Sequence, residues 1–274
     1  MSRPSVKLVL SDIDGTILPH GQRVVSERMR TAMHAAMDAG IRVGPASGRG
    51  IAHVVPTFGG DDACMATALA TNGMQVYLDG ALIHEEYLPR EALEHVCSVI
   101  HGMPHVVGIV FDHEQVYVVE GPYELLAEHF PFYANGAQMA DDVPHFPIVK
   151  MNIVVVGDEQ ATRDARDLLA REVPELGFNI PIPGLLNLTP AGYSKATGID
   201  LLCEAMGIGL DQVVVFGDSG NDLEMLAHVP NSVAVANATP EAAAAARWHI
   251  GSCDDEAVAD VLYALARGEW PFVQ

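Results

Sequence analysis

The chain opens with Val6 and then Leu8, Val9 and Leu10, an alternating and then unbroken aliphatic run that reads as a strand buried on both faces. The run stops at two carboxylates, Asp12 and Asp14, followed by Gly15 and Thr16. Ser26 is placed to cap a helix whose apolar positions fall at Met29, Met33, Ala36 and Met37 and whose stop signal is Gly40. Residues 41–46 predict the next short strand, which ends in Ser47-Gly48-Arg49. Strand, helix and strand make one βαβ unit, so Ser47 falls at the same sheet end as the carboxylates. Residues 50–58 predict a short helix. Residues 65–71 predict a strand closed by Asn72-Gly73, and Asp79-Gly80 predicts a hairpin turn.

From about Leu82 the pattern changes. Residues 91–100, 122–130 and 163–172 carry helical periodicity. Residues 106–111, 115–119, 149–156, 177–180 and 185–188 read as strands, with a turn at Asp112-His113-Glu114. Hairpins mixed with helices predict an α+β domain over residues 82–184, inserted into a parallel α/β core made of residues 1–81 and 185–274. The core pattern resumes near Pro190. Ser194-Lys195 opens a helix carrying Ile199, Leu201, Leu202 and Met206, and residues 213–216 form another fully apolar strand. Residues 233–235 and 249–250 predict short edge strands, and residues 239–247 and 255–266 predict helices.

Composition narrows what such a chain can do. With 36 acids against 15 bases its formal charge is −21, which disfavours nucleic acid and anionic membrane surfaces, since both require a basic face. An acidic protein that handles a phosphorylated ligand needs a cation or local donors to offset repulsion. The four cysteines are scattered without a C-x-x-C pair, so buried free thiols in a reducing compartment are expected. The N-terminal segment has Arg3 and Lys7, but Asp12 cuts its apolar run too early for a signal peptide, and no apolar stretch approaches membrane-span length. The expected location is the cytoplasm. None of the 12 histidines stands in an H-E-x-x-H pattern.

Four stretches can carry chemistry. Asp12 and Asp14 end a buried strand, where open α/β sheets bind ligands, and the turn at Gly15 can swing the second acid back beside the first. Taken alone, D-x-D-G is equally a pair of turn carboxylates. It is not a calcium loop, because Gly15 stands fourth rather than sixth and Arg23 occupies the twelfth position. Ser47 beside Gly48 suits a phosphate cradle built of a hydroxyl and backbone N–H groups, although serine is common in turns. Lys195 in a first helical turn opposes the helix dipole, so it is either solvated or held by an anion. Gly217-Asp218-Ser219-Gly220-Asn221-Asp222 concentrates two acids, an amide and two glycines after a buried strand. It is not a serine-hydrolase elbow, because Asn221 stands where the second glycine belongs.

Three of these stretches follow buried strands and the fourth opens a helix. In that chain order the set resembles the haloacid dehalogenase-like phosphohydrolases, and within them the Cof-type group with a large α/β cap. The resemblance covers nearly the whole chain and includes Asn72-Gly73, which is similar to that group's T-x-N-G element. It implies a Rossmann-like core with a central parallel sheet flanked by helices, with the insert as cap. It implies a phosphatase in which Asp12 is the nucleophile and Asp14 exchanges the protons. Ser47, Gly48, Lys195 and Asn221 would bind the phosphoryl group. Asp12, Asp14 (through its backbone carbonyl) and Asp218 would hold Mg2+, with Asn221 and Asp222 orienting Lys195 or metal-bound water from behind. Asp14 matters for class, since the dehalogenase members lack an acid there. Ala196 stands where the group has glycine, and Ala236 departs from its A-M-G-N-A stretch. The stretch 251–256 matches the group's later motif only loosely.

The expected partner is a small phosphorylated metabolite, taken by a monomer or homodimer. Two other readings remain at this point. A phosphosugar mutase would use the same nucleophile and acid, although such members carry a small helical cap. A non-catalytic regulator on the same scaffold would have no need of every catalytic group retained here.

Overall fold

The computed structural model describes residues 5–113 and 115–272. Two readings from sequence, Arg3 in the N-terminal segment and Glu114 in the turn after Asp112, lie outside the described residues. The chain divides into two compact units. One is built from Met1–His84 and Ser194–Gln274, and the other from the intervening Glu85–Tyr193.

The first unit is a doubly wound α/β layer structure. Its five-stranded sheet runs in the order Trp248–His249, Ser232–Ala234, Val213–Gly217, Leu8–Ser11, Arg42–Pro45, and every pairing in it is parallel. Leu8–Ser11 is an interior strand, with Leu10 opposite Val215 of the central strand on one side and Gly44 of the edge strand on the other. Successive strand residues point to opposite faces. Val9, Val214, Phe216 and Val233 therefore pack with Met29, Met33, Val258 and Leu262 of the helices Glu27–Asp38 and Ala257–Ala266. Leu8, Leu10, Val213 and Val215 pack with Ile199, Leu202, Met225 and Leu226 of the helices Lys195–Met206 and Leu223–His228. Both faces are covered, which is why these strands read as continuous apolar runs instead of alternating ones.

Helix starts follow their signals. The Ser26 side chain accepts from the Met29 backbone N–H, and the preceding turn of chain needs no other cap. The stretch 50–58 forms an α-turn, Ile51–Val54, continued as the 3-10 turn Val55–Phe58, with Pro56 at its start. Pro56 has no N–H to continue the α pattern. The Asp79-Gly80 signal is a two-residue turn with φ of +50° and +84° between the strands Gln75–Leu78 and Ala81–Glu85.

The second unit is a six-stranded sheet in the order Leu176–Ile182, Leu185–Pro190, Met151–Val155, Val106–Asp112, Gln115–Glu120, Gln138–Met139. It is antiparallel except for its last pairing. Val107, Ile109, Phe111, Val118, Val154 and Leu185 gather on one face around Leu126 of the Tyr123–His129 helix. The helix expected over 163–172 starts a turn earlier, at Glu159, because Asp158 caps it by accepting from the Ala161 N–H. The two-residue strand Gln138–Met139 has too short a pattern to announce itself in sequence. Among the described residues, no helix is long and apolar enough to cross a membrane.

Candidate active site

Strand pairing sets the site. The Asp12 N–H donates to the Phe216 carbonyl at 2.9 Å, and the Ala46 N–H donates to the Ser11 carbonyl at 2.7 Å. Asp12, Ser47 and Asp218 thus leave three neighbouring parallel strands at the same end of the sheet, the end at which α/β folds bind ligands. All three are buried, as are Lys195, Asn221 and Asp222.

Lys195 has no solvent exposure, and its Nζ lies 2.5 Å from Asp12 Oδ1 and 2.6 Å from Asp222 Oδ1. Of the two readings of a lysine in a first helical turn, the anion-held one is therefore observed. Burial works against its charge, but the two carboxylates outweigh it and hold the ammonium above its ordinary pKa. Asp222 accepts three donors. Its second oxygen accepts from the Asp218 N–H at 2.9 Å and the Ser219 N–H at 3.0 Å, so the carboxylate is oriented from both sides.

Asp12 and Asp218 are differently placed. Burial raises the Asp12 carboxyl well above its ordinary value. Lys195 pulls it down, and the charges of Asp222 and Asp218 push it up further. Asp218 is pushed up to about 6, by burial and then by Asp222, while a 2.7 Å hydrogen bond from Thr16 Oγ1 and the charge of Lys195 pull the other way. Ligand oxygens of Asp12, Asp218 and Asp222 all lie within 4.8 Å of one another. Three buried carboxylates against one ammonium leave an excess of negative charge. The donors are hard oxygens, which suit a small divalent cation such as Mg2+. Asp12 and Asp218 accept one hydrogen bond each by side chain against three at Asp222, so they are the better placed of the three to hold it.

Asp14 is placed apart from this cluster. Its side chain is about half exposed at 53%, and both oxygens are paired with the Arg49 guanidinium, Nε to Oδ2 at 2.9 Å and Nη2 to Oδ1. Arg49 Nη1 is anchored in turn on Thr57 Oγ1 at 3.0 Å. Ser47 Oγ accepts from the Arg49 N–H at 3.1 Å, which fixes the hydroxyl and leaves its proton to donate. Gly48 lies between them in this loop. Asn221 accepts from Ser219 Oγ at 2.8 Å and donates to Asn72 Oδ1 at 3.2 Å.

Two contributors, Thr16 and Asn237, were given no role from sequence. Thr16 orients Asp218. Asn237 donates to the Gly15 carbonyl at 2.7 Å and accepts from the Cys253 N–H at 2.8 Å, tying the acidic turn to the 251–256 stretch. Both are neutral residues that only the fold brings to these partners. Gly15, read from sequence as the turning point, has φ +82°, and a Cβ there would stand 2.6 Å from Asp218 Oδ2. A second group, His34, Asp61 and Cys64, also lies within ligand distance. A 2.7 Å contact between His34 Nε2 and Asp61 Oδ2 already accounts for its two polar members.

The family model for haloacid dehalogenase-like hydrolase matches residues 9–262. A 5-amino-6-(5-phospho-D-ribitylamino)uracil phosphatase of Escherichia coli K12 is 26% identical over 98% of this chain and 100% of its own length. A Streptococcus mutans protein of solved structure superposes with a TM-score of 0.86 at 22% identity, over 96% of this chain and 100% of the other. A sugar phosphatase described as subclass IIB of the same superfamily superposes with a TM-score of 0.79 at 20% identity, over 95% and 99%.

Proposed function

This chain belongs to the haloacid dehalogenase-like hydrolases, and we propose that within that family it is a Mg2+-dependent phosphatase of small phosphorylated metabolites working through an aspartyl-phosphate. The observation that carries the reading is the buried Lys195 clamped between Asp12 and Asp222, with Asp218 alongside. An ammonium held there beside a carboxylate is positioned to receive a phosphoryl dianion while the neighbouring acid attacks it.

In this reading Asp12 attacks phosphorus in line, the bond to the leaving oxygen breaks, and an acyl phosphate forms on the Asp12 carboxylate. Lys195 and the Ser47 hydroxyl hold the equatorial oxygens, helped by the backbone at Gly48 and the amide of Asn221. Fixed donors count most there, because charge redistributes in the transition state. Asp14 donates a proton to the departing alkoxide and then takes one from the water that attacks the acyl phosphate. To do so its carboxyl has to leave the Arg49 guanidinium. Asp12, Asp218 and the Asp14 backbone carbonyl would hold Mg2+, which when bound offsets the charge of phosphate and nucleophile. Asp222 keeps Lys195 and the Asp218 loop in place.

The substrate is a phosphorylated sugar or a related polyol, and its alkoxide is the leaving group. The Escherichia coli relative is named for a phosphorylated ribityl compound, and the inserted α+β domain acts as the cap that selects among such substrates. The free state of all four cysteines suits a reducing cytoplasm.

The test is phosphate release from p-nitrophenyl phosphate and a panel of sugar monophosphates, with and without Mg2+. Asp12→Asn is expected to lower turnover by roughly a thousand-fold or more while unfolding at a similar temperature. Turnover by that variant at the unaltered protein's rate rules the assignment out.

A further inference from the structure

The segment Thr71-Asn72-Gly73 touches three of the four chemical stretches, although none of its side chains has a chemical role in the reading above. Its backbone is unusual. Thr71, Asn72 and Gly73 have φ of +52°, +56° and +90°, three left-handed residues in succession, and all are buried. Asparagine enters this region several times more readily than most residues, whereas for a β-branched threonine it is an outlier. Such conformations persist where the surroundings over-determine them, and they gather at functional sites.

The surroundings here are specific. The Thr71 N–H donates to the Arg49 carbonyl and the Asn72 N–H to the Ser47 carbonyl, each at 2.9 Å, so the left-handed pair grips the Ser47–Arg49 loop from behind. The Asn72 side chain turns the other way and accepts from Asn221 Nδ2 at 3.2 Å. The Asn221 amide is held at both ends, its oxygen accepting from Ser219 Oγ and its nitrogen donating to Asn72 Oδ1. Gly73 lies against the start of the helix that carries Lys195. A Cβ on it would stand 2.5 Å from the Ser194 carbonyl oxygen and 3.2 Å from the Gly198 nitrogen.

We infer that Asn72 is a positioning residue, whose left-handed backbone and amide oxygen lock the Ser47 loop to the Asn221 loop so that both bind one phosphoryl group in register. The Ser47 carbonyl is held by the Asn72 N–H and the Arg49 carbonyl by the Thr71 N–H, which fixes the backbone of that loop on both sides of Gly48. The Asn72 amide, without touching substrate, sets where Asn221 stands. A phosphoryl group gripped from both loops needs them at a fixed separation, and tenths of an ångström there govern the rate.

The inference rests on the phosphatase reading, and the experiment separates the two. Asn72→Gly keeps the left-handed backbone at no steric cost and removes only the amide. Asn72→Asp keeps an acceptor within reach of Asn221. With Mg2+ and p-nitrophenyl phosphate, Asn72→Gly is expected to hold its melting temperature while kcat falls about ten-fold or more. Asn72→Asp is expected to recover most of that loss in kcat, with a raised KM from its added charge. A kcat in Asn72→Gly equal to that of the unaltered protein overturns the inference, as does Asn72→Asp being no faster than Asn72→Gly. If Asn72→Gly does not fold, Asn72→Ser replaces it, its shorter side chain withdrawing the acceptor from Asn221. It is expected to show the same loss of kcat at an unchanged melting temperature, and an unchanged kcat overturns the inference. Should the unaltered protein release no phosphate, the phosphatase reading fails by itself. The affinity of inorganic phosphate for the unaltered protein and for Asn72→Gly then decides, with a weaker Asn72→Gly expected and equal affinities overturning the inference.

Discussion

Lys195 shows how one residue can be ambiguous in sequence and settled by its neighbours. A lysine at a helix start is either in water or held by an anion, and at this position two carboxylates more than 20 residues away in the chain hold it without solvent. A buried charge is tolerated only while its partners remain, and removing one leaves it uncompensated. Asp222→Ala strips Lys195 of one of its two acids and leaves the Asp218 and Ser219 N–H groups without their acceptor. It is expected to cost about 3–5 kcal/mol of stability, read by denaturant unfolding. A loss under about 1 kcal/mol would mean that water reaches the pair. Asp12, Ser47 and Asp218, which the fold brings to one end of the sheet, were legible as candidates because each follows a buried run with abrupt polarity. Thr16 and Asn237 were not, since a threonine in a turn and an asparagine in a loop acquire a role only from long-range contacts with Asp218 and Gly15.

At the scale of elements, the parallel strands and their helices were the most readable part, because burial on both faces leaves an uninterrupted aliphatic run and caps mark the helix starts. Short pieces were not. The strand Gln138–Met139 has two exposed residues and owes its existence to pairing with Gln115–Glu120. The helix carrying Lys195 deserves a direct test, because its first turn sets the position of the ammonium. Ser194 Oγ accepts from the Ala196 N–H at 3.2 Å, and Thr197 Oγ1 accepts from the Ser194 N–H at 3.3 Å, a reciprocal cap. Ser194→Ala is expected to cost about 1 kcal/mol. In a chain of this size the melting temperature should fall by about 2–4 °C. The same change should lower kcat measurably if the cap also fixes Lys195, and an unchanged kcat would show that Asp12 and Asp222 suffice to place it.

At the scale of the whole molecule, charge and thiol chemistry set the conditions of work. The −21 charge disfavours anionic partners, so the donors and cation that a phosphorylated substrate needs have to be local. Burial first, and nearby carboxylates second, push Cys64, Cys97 and Cys253 up to about 12 and Cys203 up to about 11. A raised pKa means less thiolate at a given pH, on the order of one part in a thousand or less near pH 8. Iodoacetamide is therefore expected to label the folded protein much more slowly than the unfolded chain, and equal rates would contradict the buried, protonated thiols. The parallel core and the mixed insert were both visible as a change of pattern near Leu82. What sequence leaves open is which phosphorylated metabolite the protein takes, because that depends on side chains with no shared motif. The central claim, that Asp12 takes the phosphoryl group, is tested most directly by mixing the protein with Mg2+ and a sugar monophosphate, quenching in acid within one turnover, and weighing the peptides. One phosphoryl group on the peptide containing Asp12, absent in Asp12→Asn, is the predicted result. Phosphate release with the label on another residue, or with no labelled residue and an active Asp12→Asn, would contradict it.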